Sequence, residues 1–364
     1  MSRRVTMAVV AKHAGVHVTT VSLALRNHPS LPVSTRQRIQ AAARELGYRP
    51  DPALQALIAH RKRASPPKDA PSLAYVTNWD TEWGWKNAPA HGEFYAGALA
   101  KAGDLGLRLD HFWIGAPKLT HERLSEILFN RGITGIVVAS HRRQADVALH
   151  FDWSRFSGVK IDVVPHEPKL HVVTNDQRAI IQLATRSAIA AGYRRAGLVL
   201  HREWDRGLDL AWSGGFLASQ LALPAGDRVP ILFFADADAD GFVPRAMFET
   251  WLREHRPDVL LGYGPHVRPQ LAKLGLDVPR DLAFVDIFLA QPDGTTAGVR
   301  HNCRRVGELA LEIMAGQLQL HSYGIPEFPT TTLVEGTWFD GGSLPACTRP
   351  GPASSKRASN GLRT

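Results

Sequence analysis

Apolar positions near the amino end recur at helical spacing in three short stretches. Val10 and Ala14 lie one turn apart, Val21 and Leu25 repeat that interval, and Ile39, Ala42, Ala43 and Leu46 form a third stripe. The pattern predicts three helices. Thr6 can cap the first, and Gly15 ends it where a left-handed backbone suits a tight turn. The second begins near Val18 and leaves Val18, Thr19, Ser22 and Arg26 off its inner face. The third opens at Ser34, because Ser34-Thr35-Arg36-Gln37 has capping-box spacing, and closes at Gly47 before Pro50. Two helices around a glycine turn, the second rich in small hydroxyl side chains, predict a helix-turn-helix that lays its second helix in the DNA major groove.

Beyond this head, Asp51–Ala59 is a short amphipathic stretch with Asp51 as a cap and Pro52 at a first helical position. At about two turns it is too short to hold alone in water. A proline-rich linker, Ala64–Pro71, follows. From Ser72 onward short apolar runs alternate with helical stretches. Strands are predicted over Leu73–Thr77, Leu107–Trp113, Gly135–Ser140, Gly158–Val163, Ala196–Leu200, Pro230–Phe234, Val259–Gly262 and Leu282–Val285. Helices are predicted over Glu93–Gly106, Thr120–Arg131, Asp176–Gly192, Asp209–Leu221, Val243–His255 and His266–Leu274. This rhythm calls for two parallel sheets with helices on both faces, where ligands meet the carboxyl ends of strands.

Charge sharpens the picture. The chain of 364 residues carries a net +9, yet residues 1–68 hold twelve Lys and Arg against Glu45 and Asp51 alone. The remaining residues sum to about −1, so the positive charge sits on the head, as expected of a surface that meets a polyanion. Composition, 44% apolar and 21% charged, predicts a soluble protein of two or three domains. Cys303 and Cys347 lie far apart without metal-binding or disulfide spacing, which fits a reducing cytoplasm. No apolar run approaches the roughly 20 residues that span a bilayer. A cytoplasmic location, with no membrane contact, is expected.

The head residues Val10-Ala11, Ala14-Gly15-Val16, Thr20-Val21-Ser22, Asn27, Val33-Ser34-Thr35-Arg36, Ile39, Ala42, Leu46-Gly47-Tyr48, Pro50 and Leu57 stand at fixed spacing. Together they resemble the head and hinge of the lactose-repressor (LacI) family of bacterial transcription regulators. The likeness continues in the body through Val173-x-x-Asp176, Ala190-x-Gly192-Tyr193-Arg194-Arg195 and Gly215-Phe216. It extends through Leu276-x-Val278-Pro279-x-Asp281-Leu282-Ala283, Ala297-Gly298-Val299 and Val306-Gly307-x-x-Ala310. The resemblance implies an all-α helix-turn-helix head and an α/β body of two doubly wound parallel-sheet lobes, periplasmic-binding-protein-like of type I. An effector cleft between the lobes and dimerisation through the body are implied with it. The expected divisions are a head at 1–50, a hinge helix and linker at 51–71, and an N-terminal lobe from 72–164 and 291–322. A C-terminal lobe from 165–290 and 323–346 and a disordered tail at 347–364 complete them.

By the resemblance, Val18, Thr19, Thr20 and Ser22 stand where family members touch bases and phosphates, and Thr6 and Asn27 complete the DNA-binding set. Leu57 stands where each protomer wedges a leucine into the minor groove, which physically requires a kinked duplex and two heads. Two departures stand out. His17 replaces the serine that usually caps the recognition helix, a loss of about 1 kcal/mol unless Thr19 or the imidazole compensates. Leu23 replaces a common basic residue.

The family's sugar-reading positions are rewritten: Asp286-Ile287-Phe288, Gly264-Pro265 and Trp212 stand there, and no ligand role carries over to them. The candidate effector-binding residues are instead Asn78, Trp79, Asp80, Trp83 and Trp85 after the first strand, with His141 and Asp162 at later strand ends. Indole faces beside carboxylates suit a carbohydrate, although these tryptophans can equally pack the loop. His141-Arg142-Arg143 can likewise be a solvated cluster.

The run Asp236–Gly241 mimics a calcium loop but has Met247 where the bidentate glutamate is needed. Sixteen histidines place no two ligands on one helix face, and nucleophile-elbow, phosphate-loop and dinucleotide fingerprints are absent. No metal, cofactor or catalytic residue is expected. The reading is a homodimeric regulator of a near-palindromic operator in double-stranded DNA, a repressor, modulated by a small molecule of carbohydrate type. The rival is a sugar- or nucleotide-acting α/β enzyme with a regulatory head; turnover of a bound ligand separates the two.

Overall fold

The computed structural model describes residues 5–25, 30–48, 70–142, 147–235 and 242–347. At the amino end lie α1 (Met7–Ala14), α2 (Val18–Leu25) and α3 (Val33–Glu45). Their inner faces meet through Val10, Ala14, Val21, Ala24, Ile39 and Ala43, all buried. This is the stripe that the helical spacing predicts, with Ala24 added and Leu25 only partly buried.

Two terminal details differ from expectation. Thr6 holds the N-cap position of α1 in extended backbone, but its side chain makes no capping bond. Helix α3 starts at Val33, before Ser34, with Pro32 at the N-cap, and no side chain caps it. The fixed proline φ already suits the approach to a helix, and the Pro32 carbonyl takes the Arg36 N–H at 3.0 Å. The Ser34 capping box is therefore not used.

The body follows in chain order. It begins with β1 (Ser72–Asn78), α4 (Pro89–Asp104), β2 (Arg108–Trp113), α5 (His121–Asn130), β3 (Gly135–His141), β4 (Ser157–Ile161) and β5 (His171–Asn175). Next come α6 (Gln177–Ala190), β6 (Ala196–His201), α7 (Arg202–Arg206), α8 (Ala211–Gln220) and β7 (Leu232–Phe234). Then α9 (Arg245–His255), β8 (Val259–Gly262), α10 (Gly264–Lys273), β9 (Ala283–Asp286) and β10 (Ala297–Arg300) lead to α11 (Cys303–Leu320), β11 (Thr331–Val334) and β12 (Thr337–Phe339).

These strands form two six-stranded sheets, ordered β11-β5-β4-β3-β1-β2 and β12-β10-β9-β8-β6-β7. The first is parallel throughout. In the second only the edge strand β12 runs antiparallel, against β10. Strands covered on both faces need near-continuous apolar runs, and β3 is buried at every position.

The chain divides into two units, Met1–Asp176 with Asn302–Val334 and Gln177–His301 with Glu335–Thr364. The crossings fall after 176, 301 and 334, about twelve residues later than the expected 164, 290 and 322. Strand pairing is the reason. β5 pairs with β4 and β11 with β5, which draws residues 165–176 and 323–334 into the first unit. β10 pairs with β9, which keeps 291–301 in the second.

Within the first unit, α4 and α11 pack almost backbone to backbone. A Cβ on Gly97 would land on the Arg304 carbonyl, and one on Gly307 would fall 2.8 Å from the Ala98 nitrogen and closer still to the Phe94 carbonyl. Among the described residues no single helix is long and apolar enough to cross a membrane. The hinge stretch with Leu57, the Asp236–Gly241 run, Asn27, Arg143 and the tail from 348 lie outside the described residues.

Candidate functional site

The head is arranged as a reading unit. Gly15 takes a left-handed conformation (φ 65°) and returns its N–H to the Ala11 carbonyl, so α1 stops and the chain turns. The bend between α1 and α2 is 102°, within the range of helix-turn-helix pairs. Burial of Val21 and Ala24 fixes which face of α2 looks outward. Val18 is 38% exposed and Thr19 is exposed, while Thr20 and Ser22 are half-buried beside them.

His17 replaces the lost serine cap itself: its Nδ1 accepts the Thr19 N–H at 3.3 Å and lies 2.9 Å from Thr19 Oγ1. Two further supports come from α3. Arg38 donates to the Ala14 carbonyl at 3.1 Å and Gln40 to the Ala24 carbonyl at 2.9 Å. A cation and an amide thus meet carbonyls that helix ends leave without partners, and the cation also matches the negative end of the α1 dipole.

In the first unit, parallel pairing gathers the carboxyl ends of β1 to β5 on one edge of the sheet. The Asn78 carbonyl accepts the Arg142 N–H at 3.0 Å, and the Arg142 guanidinium pairs with Asp80. Trp79 is half-buried, edge-on to His91 at 5.1 Å, and its carbonyl accepts from Trp113 Nε1 at 2.9 Å. Trp83 is 42% exposed, with the His111 ring at 4.2 Å and the Lys86 ammonium 3.8 Å from its centroid.

Trp85 is entirely buried against Tyr75 and Tyr95, so it packs the loop and offers no ligand face. The reason is local. A 3-10 turn at Gly84–Asn87 swings it inward, and its Nε1 closes on the Glu82 carbonyl at 3.0 Å.

His141 is buried, and desolvation pushes its pKa down to about 3. His111 is pushed down to about 4 by burial and then by Lys86. Both are therefore neutral near pH 7. Asp162 takes a left-handed backbone (φ 69°) just past β4, and its carboxylate accepts from Val163 N at 3.0 Å and Thr174 Oγ1 at 3.1 Å. Ser140 in β3 is also left-handed (φ 55°). Such non-glycine strain concentrates where side chains must be aimed.

The strand ends of the second unit carry an aromatic surface that the sequence reading missed. Trp204 lies 5.8 Å from His201, 5.7 Å from Tyr263 and 4.8 Å from His266. Phe288 lies 6.0 Å from Tyr263 and 4.2 Å from His301. His266 is pushed down to about 4 by burial and the neighbouring His201. Asp286 is pushed up to about 6 by burial, although Phe288 N donates to it at 2.9 Å. Its carboxylate comes this close to α10 only because Gly264 has no side chain: a Cβ there would stand 2.5 Å from Oδ2. Aromatic faces beside the neutral His266 imidazole favour stacking and hydrogen bonding over ionic grip. Among the described residues no group of three or more His, Cys, Asp or Glu could hold a metal ion.

Residues 6–51 match the family model described as bacterial regulatory proteins, lacI family. The HTH-type transcriptional regulator IpsA of Corynebacterium glutamicum is 28% identical over 319 residues, covering 84% of this chain and 79% of the relative. The amino-terminal head is therefore a lacI-family DNA-binding domain. Two solved structures share its fold. One, the transcriptional regulator CelR–cellobiose complex, has TM-score 0.58 at 18% identity and covers 93% of this chain and 100% of the neighbour. The other, the lac repressor dimer bound to operator and the anti-inducer ONPF, has TM-score 0.55 at 16% identity and covers 94% and 100%.

With that head, the chain is a DNA-binding transcriptional regulator. In the body the rewritten position Trp212 is structural: it is 5% exposed and donates Nε1 to Gln177 Oε1 at 2.8 Å. The missed residues had a signal. His201, Tyr263 and Asp286-Ile287-Phe288 sit at or just after strand ends, and the rule applied to β1 and β3 selects them when applied to β6, β8 and β9.

Proposed function

We propose that this chain is a repressor that binds a near-palindromic operator as a homodimer, with its grip on DNA set by a small uncharged ligand of carbohydrate type. The observation that carries the DNA half is the 102° helix pair, which turns Val18 and Thr19 outward on a strongly basic amino end. Thr6, Thr20, Ser22, Asn27 and Leu57 join them as proposed contacts. The ligand half is supported by Trp79, Trp83, Asp80 and Asn78 in the first unit and by Trp204, Tyr263 and Phe288 in the second. The neighbour seen with cellobiose points to the same chemistry.

Fluorescence anisotropy on duplexes from the chain's own upstream region tests the first half. Affinity is expected to fall steeply with salt and to exceed that for scrambled DNA. A flat salt response without sequence preference would exclude the reading. Leu57→Ala is expected to weaken operator binding roughly tenfold or more and to spare binding to scrambled DNA, since a wedge matters only on a bent site. Equal losses on both would remove the wedge role. Thermal shift with cellobiose and other neutral saccharides tests the ligand half, because a ligand that binds only the folded state raises the melting temperature.

A further inference from the structure

The imidazole at the start of α2 does more than close a helix end, because it fixes the direction of a hydrogen bond. The Thr19 N–H lies in the first helical turn, where the helix supplies no backbone acceptor. It points onto His17 Nδ1 at 3.3 Å, a contact that requires that nitrogen to accept and the ring N–H to lie on Nε2. Thr19 Oγ1 lies 2.9 Å from the same nitrogen. With Nδ1 accepting, the hydroxyl of Thr19 is the donor in that pair. Its one proton is used inward, and Oγ1 presents only lone pairs to the outside.

Base edges in the major groove differ in this respect: adenine N6 and cytosine N4 donate, whereas guanine and thymine offer acceptors. We infer that His17 is a positioning residue that holds Thr19 as an obligate acceptor, so that Thr19 reads the amino group of an adenine or cytosine in each operator half-site. This rests on the DNA reading proposed above. It adds what that reading lacks, a base class at one position and a reason for the histidine. A cap that only satisfied the backbone N–H would leave the Thr19 hydroxyl free to donate or accept, and the position would be tolerant.

The test is selection of binding sites from a random duplex library by the full-length chain and its variants, followed by anisotropy on single-base changes. The wild-type site is expected to hold adenine or cytosine at a half-site position where Thr19→Val removes the preference and Thr19→Ser keeps it. Discrimination there is expected to drop roughly three- to tenfold, the worth of one hydrogen bond. His17→Ala is expected to relax the same position toward guanine and thymine. His17→Asn, whose Oδ1 can accept both the N–H and the hydroxyl, is expected to restore it.

Three outcomes would overturn the inference: a Thr19→Val site identical to wild type, guanine or thymine at the Thr19-dependent position, or a His17→Ala loss spread evenly over all positions. The last would mark a structural cap alone. Failure of the wild-type chain to select any site would overturn the DNA reading and this inference with it, an outcome distinct from the other three.

Discussion

Alanine at Gly97 or at Gly307 is expected to destabilise the first unit by about 3 kcal/mol or more. The two glycines sit where α4 and α11 cross. The added methyl group at either would collide with main-chain atoms of the facing helix, the Arg304 carbonyl in one case and the Phe94 carbonyl and Ala98 nitrogen in the other. Backbone cannot rotate aside as a side chain can, so the helices must part, and buried Ala98, Ala102 and Ala310 would lose their packing. Two other glycines of the same helices supply the control. Gly103 and Gly316 have nothing within 4 Å of the position a Cβ would take. Alanine there is expected to stabilise by up to about 1 kcal/mol through lower chain entropy in the unfolded state. Urea unfolding of the four variants measures both signs, and equal effects at all four sites would refute the close-crossing argument.

Acid is expected to weaken the fold before any carboxylate at the surface matters. His141, His111 and His266 are held below the ordinary value of 6.5 by burial, to about 3, 4 and 4. An unfolded chain takes up these protons near pH 6.5, while the folded one refuses them until the lower values. The unfolded state therefore binds more protons in that window, and stability present above pH 6.5 is lost as pH falls toward 4.

His141 dominates, with a contribution on the order of 4 kcal/mol. The other two rings are half-buried and count for less, because solvent screens them. Asp286 runs the other way. Raised to about 6, it favours the folded state as pH falls from 6 toward 4 and offsets part of the loss. Unfolding midpoints between pH 7.5 and 4.5 measure the slope, and His141→Gln is expected to flatten it. An unchanged slope in that variant would show that another group governs acid lability.

Local periodicity was enough to place most of the elements. Helix spacing in the head, the Gly15 turn and the apolar runs of β1, β3, β6 and β8 rest on neighbours within one turn or one strand, which any reader of the chain can see. The missed elements are mostly short and take their meaning from pairing. β11 is a four-residue edge strand with exposed Thr331 and Leu333, and it becomes a strand only beside β5. The antiparallel β12 likewise exists through β10. Helix α11 was legible in retrospect, since Val306, Gly307, Ala310, Leu311 and Met314 follow a helical stripe. The site divides in the same way. Trp79 and Trp83 are candidates because they follow a strand in sequence. Trp204, His266 and Phe288 come from separate stretches of chain, and only folding brings their rings together.

The amino-acid order by itself determined a basic helix-turn-helix head of lacI-family pattern and an alternating α/β body, because these depend on spacing and composition along the chain. Tertiary structure alone decided that Trp85 is core and not surface, that the units exchange chain after 176, 301 and 334, and that the Thr19 N–H meets His17 Nδ1. Burial, strand partnership and hydrogen-bond direction are relations between residues in space, and the pattern of one residue after another does not contain them.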